Sequence, residues 1–319
     1  MDTGNLAQWA SAGAILIGTI VPFVYLKVQS SDAKKGKLIL ESLSKKQFSI
    51  VNKASKILKR KKQKKEKVEN KKTFVINFKG DVMANQVAEL RNIINYLLPI
   101  VEKEDEVVIN LESPGGAVSG YSLASNQLER IKNAGLKLTV CIDKVAASGG
   151  YMMAVVGDEI VAAPNAVVGS IGVVAEFPNF NEALSKLGIN WKQYTAGKYK
   201  RTVGTFSPIT EEGEEHFRKN LDVVHDIFKN HIQKHRDVDL EKVATGEYWL
   251  AVDSKEKELN LVDRLALSDE VIAEKMMHSE VIEVKYKQPA KNAWEAFTNA
   301  SVDAVIKLIT KAISLKNQY

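Results

Sequence analysis

The sequence predicts an α/β domain with a mainly parallel sheet. From Thr73 onward, short apolar β-branched runs alternate with longer segments of helical spacing. Several runs end in glycine-containing junctions that open into the next helix, as strands feeding crossovers do. The length of 319 residues, 45% of them hydrophobic, suffices for a sizeable core in one large domain or two small ones.

The elements can be taken in order. Residues 74–78, Phe-Val-Ile-Asn-Phe, read as a strand, and residues 84–101 show helical spacing through Val87, Leu90, Ile93, Ile94 and Leu97. A strand over 107–111 and a helix over 118–134 follow. Strands are expected at 136–142, 160–163 and 167–175, with a helix starting near Tyr151. A strand-like run covers 189–194, a long helix 211–236, and a last strand 281–286. Residues 292–316 form a separate helix with an apolar face of Ala296, Val302, Ile306, Ile309 and Ile313.

The region before Thr73 differs in character. Residues 9–26 carry no charge, near the minimum for a membrane span, with Trp9 and Tyr25 where interfacial aromatics belong. Pro22 is tolerated in such a helix. A cleaved signal peptide is the rival, but no Lys or Arg precedes Lys27. From Lys27 to Lys72 there are 17 Lys and Arg against 4 Asp and Glu, while the remainder from Thr73 has 28 against 34. The net charge of +6 is therefore local. The tract lacks interleaved aromatics, which argues against nucleic acid, and its apolar neighbour makes anionic lipid the better partner. It reads as one or two amphipathic helices or as a linker. The positive-inside rule puts residues 27 onward on the cytoplasmic face. The expected division is a transmembrane anchor (1–29), a basic juxtamembrane segment (30–72), a catalytic-looking domain (73–288) and a C-terminal amphipathic helix (289–319). The lone cysteine, Cys141, lies in a strand-like run and reads as inert.

The most informative stretch is Asp143-Lys-Val-Ala-Ala-Ser-Gly-Gly-Tyr-Met-Met-Ala154, directly after the apolar run ending at Ile142. A serine at a strand-to-helix junction has its hydroxyl at the sheet edge and helical N–H groups beside it. That suits a nucleophile whose tetrahedral intermediate needs donors. The plain alternative is a capping serine in a tight turn. None of the five histidines lies in a catalytic-looking context, and no Gly-x-Ser-x-Gly elbow is present. The other base open to a serine is a lysine of lowered pKa. Lys198, Lys200 and Arg201 crowd together in one segment and could supply it, or could form a solvated basic loop. Ser113-Pro-Gly-Gly116 can turn N–H groups outward as an anion nest, or make an ordinary β-turn. In Val167-Val-Gly-Ser-Ile-Gly-Val-Val174 the glycines imply a bulge or close backbone contact, and Ser170 is either a positioning hydroxyl or a packed residue.

Four ordered motifs, Ser-Pro-Gly-Gly, Ala-Ala-Ser-Gly-Gly-Tyr-Met-Met-Ala, Val-Gly-Ser-Ile-Gly-Val and Ala-Gly-x-Tyr-Lys-Arg, resemble the signal peptide peptidase A family of membrane serine peptidases, closest to its SohB branch. The resemblance covers roughly residues 73 to 287. It implies a crotonase- or ClpP-like spiral of ββα units, preceded by one transmembrane helix and a basic helical linker. It also implies Ser148 as nucleophile, Lys200 as general base, Ser170 as the hydroxyl that positions Lys200, and Gly115 and Gly149 as oxyanion N–H donors. The implied protein is a membrane-anchored serine endopeptidase of the bacterial cytoplasmic (inner) membrane, single-pass. It would use a Ser-Lys dyad without cofactor or metal, on peptides such as cleaved signal peptides or membrane-protein fragments. A single-copy chain would close into a homo-oligomeric ring, eight subunits being expected, with each site shared between neighbours. The alternative is a catalytically silent crotonase-fold scaffold or an acyl-thioester-binding protein, neither of which needs both Ser148 and Lys200.

Overall fold

The computed structural model describes residues 36–60 and 71–287. Residues 40–285 form one compact unit; residues 36–39 and 286–287 belong to a second unit, whose other residues lie outside the described ones. The expected anchor over 1–29 and the helix over 292–316 also lie outside them. Among the described residues no helix is long and apolar enough to cross a membrane.

The runs predicted as strands form β2 (Lys72–Lys79), β3 (Glu106–Glu112), β4 (Lys137–Ile142) and β6 (Glu159–Ala162). All four pair in parallel, each connection from β2 to β4 being made by a helix: α2 (Val87–Leu97), then α3 (Val118–Asn133). With β1 (Lys37–Ser42), β9 (Arg264–Leu265) and β10 (Glu280–Lys287) they make a seven-stranded sheet of order β1-β10-β2-β3-β4-β6-β9. Both faces are covered, so the central strands read as nearly continuous apolar runs. On one face Val75, Val108, Cys141, Val161 and Val281 cluster with Val271 of α9 (Ser268–His278). Parallel pairing with helical crossovers is the mixed α/β architecture that the alternation predicts.

A second, three-stranded sheet lies in the order β5 (Val145–Ala147), β7 (Val167–Gly169), β8 (Tyr248–Leu250). The strand β5 is parallel to β7, and β7 is antiparallel to β8. It joins the end of β3 through Ser113, whose N–H donates to the Val145 carbonyl (2.8 Å) and whose carbonyl accepts from Ala147 N–H (3.0 Å).

Three expectations need correction. The strand expected over 167–175 stops at Gly169, because Gly169 (φ 87°) and Ser170 (φ 49°) turn the chain out of the ladder. The run over 189–194 is not a strand; Ile189, Trp191 and Tyr194 are exposed and have no neighbouring strand to cover them. Part of the basic helical linker is β1. Among its described residues α1 (Leu43–Ile57) is helical, capped by Ser42, which accepts from Lys45 N–H at 3.3 Å. The long helix is α6 (Glu211–His235), between α5 (Asn181–Lys186) and α7 (Leu240–Val243) once α4 (Gly149–Ala154) is counted; α8 (Ala251–Glu256) follows β8. Thr210 caps α6, and acidic residues in its first turn match the helix dipole.

Candidate active site

Ser148 is the single residue between β5 and α4. Its backbone has φ 52° and ψ −122°, a conformation that L residues rarely adopt and that costs about 1–3 kcal/mol. The surroundings hold it there. Ser148 N–H donates to the Gly169 carbonyl at 2.8 Å, and its carbonyl accepts from Met152 N–H at 3.0 Å. The hydroxyl caps no N–H of α4 and is half-buried, which leaves it available. The bland sequence alternative, a capping serine, is therefore not what the geometry holds.

Gly115 and Gly149 lie against this residue. A methyl built on Gly115 would sit 2.7 Å from Ser148 Cβ and 2.8 Å from Gly149 N, so the two loops touch backbone to backbone. Gly115 needs its φ of 86° to do so. Gly149 N–H opens α4 and has no helical acceptor before it. The Gly115 N–H differs from expectation: it donates to Ser113 Oγ at 3.1 Å. Ser113 Oγ in turn donates to Tyr121 Oη (2.6 Å), which donates to the Asp81 carbonyl (2.7 Å). Burial raises the Tyr121 phenol pKa and keeps it a neutral donor. The same ring explains Gly149, where a methyl would lie 2.5 Å from Tyr121 Cγ. Tyr121 thus sets the height of both glycine loops. Sequence reasoning missed it; the only signal is an aromatic in the first turn of the helix after Pro-Gly-Gly.

Ser170 follows from the register of β5 on β7. Ala146 pairs with Val168 and Ala147 with Gly169, so Ser148 and Ser170 come next on adjacent parallel strands. Ser170 N–H donates to the Glu247 carbonyl (2.7 Å), and its hydroxyl reaches only the Gly246 carbonyl at 3.5 Å. Lys200 lies elsewhere, on the exposed segment 174–210, and no hydrogen bond links it to Ser148 or Ser170. Its backbone N–H donates to the Gly197 carbonyl at 3.2 Å. Lys198 is tied to Glu212 (2.5 Å), and that bond, with one to Tyr199, raises its pKa. A raised pKa is the wrong direction for a base. The structure therefore brings together Ser148, Ser170, Gly115 and Gly149 within one chain, but not Lys200.

Two further side chains act on α4. The Met152 carbonyl accepts from Ser125 Oγ (3.1 Å) and from His231 Nε2 (3.0 Å), which ties the helix after Ser148 to α3 and α6. His231 stands in a charged stretch 83 positions along from Ser148, so no local pattern marks it. Cys141 is buried, and burial pushes its thiol pKa up to about 12, as its apolar strand implies.

Comparison with known proteins agrees with the family resemblance of the sequence motifs. Residues 130–282 match the profile of peptidase family S49, and residues 24–128 match that of the peptidase family S49 N-terminal region. The "Probable protease SohB" of Haemophilus influenzae is 44% identical over 237 residues, 74% of this chain and 66% of that protein. The protein of the same name from Buchnera aphidicola subsp. Acyrthosiphon pisum is 43% identical over 248 residues, covering 77% and 73%. That from Buchnera aphidicola subsp. Schizaphis graminum is 38% identical over 320 residues, covering 93% of each chain. With both halves matched and relatives of this similarity, the chain belongs to peptidase family S49, in the branch of the SohB proteases.

Proposed function

We propose that this chain is a serine endopeptidase in which Ser148 is the nucleophile, Lys200 the general base, and the site is completed by a second copy of the chain. The observation that carries this reading is the strained, positive-φ Ser148 held between Gly149 N–H and the Gly115 loop while its hydroxyl stays free of capping duty. In the reaction, Ser148 Oγ attacks a peptide carbonyl and neutral Lys200 takes its proton. The same lysine then returns a proton to the leaving amine, and water hydrolyses the acyl-enzyme. Gly149 N–H binds the oxyanion directly. Gly115 N–H does so by exchanging Ser113 Oγ, its present acceptor at 3.1 Å, for the substrate oxygen. Ser170 holds the lysine amine.

Lys200 reaches a serine across a subunit boundary in this reading. Segment 174–210 has no buried residue, yet Val174, Leu187 and Tyr194 are 78%, 74% and 88% exposed. Apolar surface of that extent fits a contact with an adjacent copy. Head-to-tail contacts of this kind close a ring, for which eight copies are expected. Peptides small enough to enter the ring, such as cleaved signal peptides or membrane-protein fragments, are the proposed substrates. The uncharged stretch over 9–26 and the basic tract after it support a single-pass anchor in the bacterial cytoplasmic membrane, with the catalytic domain on the cytoplasmic face.

Mixing inactive Ser148→Ala chains with inactive Lys200→Ala chains tests the reading. Verified mixed oligomers should recover part of the peptidase activity, because some contacts pair an intact serine with an intact lysine. No recovery would leave a site within one chain as the only version of the dyad. Covalent labelling of Ser148 by a serine-directed acylating probe checks the nucleophile separately.

A further inference from the structure

We propose that Glu129, His231 and His235 form a binding site for a late first-row divalent cation of the Zn2+ type, at the contact of α3 with α6. This does not rest on the peptidase reading. His231 and His235 are four residues apart on α6, so their rings share one face, with centroids 4.9 Å apart. That face meets Glu129 of α3, whose Oε1 lies 2.8 Å from His235 Nε2. One donor atom from each of the three residues falls within 4.8 Å of the others. Small side-chain rotations bring such a set to the 2.0–2.2 Å bonds of zinc, roughly, with a fourth position for water.

The chemistry of the three donors fits that cation class. Two imidazoles and a carboxylate suit zinc and its neighbours better than Mg2+ or Ca2+, which take oxygen ligands. The His235 and Glu129 side chains are only 9% and 19% exposed, so the donors are partly desolvated and fixed by packing. His231 already has the outer partner that histidine ligands use. Its Nε2 lies 3.0 Å from the Met152 carbonyl, an oxygen that can only accept. Ser125 Oγ lies 2.9 Å from the same Nε2 and itself donates to that carbonyl, so a proton on Nε2 faces two acceptor oxygens and the lone pair is on Nδ1. One group competes: Lys234 Nζ lies 2.7 Å from the same Glu129 Oε1. Its side chain is 61% exposed, and an entering cation can displace it into solvent.

The full chain, stripped of metal by chelation, should bind Zn2+ at one per subunit by calorimetry, and Co2+ should develop visible d–d bands. His235→Ala and Glu129→Gln should each weaken binding about tenfold or more. Lys234→Met removes the competitor but no ligand, so it should bind Zn2+ at least as tightly as the parent. His278→Ala, remote in sequence and outside the cluster, should bind normally. Circular dichroism of the metal-free variants separates lost ligation from lost folding. Absence of stoichiometric Zn2+ binding by the parent, parent-like binding by His231→Ala/His235→Ala, or weakened binding by folded Lys234→Met would each overturn the site.

Discussion

Around Ser148 the chain is buried and cross-bonded: Ala146, Ala147, Gly149 and Gly150 are buried, and backbone bonds reach Ser113, Gly169 and Met152. Around Lys200 it is neither. Residues 174–210 contain no buried position, and their internal order rests on small contacts such as Trp191 against Phe206 (5.1 Å) and Asn179 Nδ2 to the Gly204 carbonyl (2.7 Å). A strained nucleophile needs a rigid setting, because only surrounding bonds hold a residue at an unfavourable φ. A base delivered from a neighbouring subunit needs reach and an adhesive surface instead. On the proposed reading the two regions divide precision from assembly, and substitutions should separate them.

The largest separation is in turnover. Ser148→Ala and Lys200→Met should each lower peptide hydrolysis by about 10^4-fold or more while leaving the melting temperature nearly unchanged. Lys198→Met, which breaks only the exposed pair with Glu212, should retain activity within roughly threefold. A profile in which Lys198 mattered as much as Lys200 would remove the distinction between the two lysines.

Next come changes to the rigid side, which should affect stability as well as rate. Gly149→Ala places a methyl 2.5 Å from Tyr121 Cγ and should destabilise by about 2–3 kcal/mol in denaturant titration. Tyr121→Phe leaves Ser113 Oγ and the Asp81 carbonyl without their shared partner, for about 1–2 kcal/mol. It should also lower turnover, because Ser113 Oγ orients the Gly115 loop. Unchanged turnover in Tyr121→Phe would show that the loop is set by its glycines alone.

How legible each region was follows from the same contrast. The strands β2, β3 and β4 stood out because burial on both faces makes them continuous apolar runs. Ser148, Ser170, Gly115 and Gly149 lie in Gly- and Ala-rich motifs, a local pattern that close backbone approach demands, and their proposed roles come from the family resemblance of those motifs. The strands β5 and β8 have three residues each, too few for any periodicity. The run at 189–194 misled because its apolar residues have no sheet to join within the chain. The strand β1, at the sheet edge, holds Lys37 and Glu41 and follows Lys34 and Lys35, so it reads as part of the basic tract. Tyr121 of α3 acts on Gly149 and the Asp81 carbonyl, and Ser125 of α3 and His231 of α6 act on the Met152 carbonyl of α4, contacts between separate elements of which one sequence carries no record.

A smaller effect separates the sheet from solvent by pH. Glu106 of β3 is only 12% exposed and bonds to both Lys71 and Lys275. Burial works to raise its pKa, but hydrogen bonds from Lys275 and Lys71 hold it below the usual 4.5. Its folded pKa lies below its unfolded one. The stability it contributes is therefore complete above about pH 4.5 and is lost as pH falls through the depressed folded value. Melting temperature against pH should fall more steeply below pH 4.5 or so for the parent than for Glu106→Gln, a difference of about 1 kcal/mol. Parallel curves would mean that the two lysines do not bind the carboxylate in solution.

The smallest expected effect on folding is on segment 174–210, and it is the sharpest test of the contrast. Leu187 and Tyr194 are 74% and 88% exposed, so Leu187→Ser/Tyr194→Ser removes little that the isolated chain buries. Surface changes of this kind usually stay within about 0.5 kcal/mol. Measured at concentrations where subunits are dissociated, the variant should unfold with the parent. Measured where subunits associate, it should lose both assembly and activity, since binding between copies adds to apparent stability by mass action. Sedimentation velocity over a concentration series reads the two regimes directly. A variant that unfolds early while dissociated would place these side chains in the fold of one chain. A variant that assembles normally would remove them from the contact proposed to bring Lys200 to Ser148.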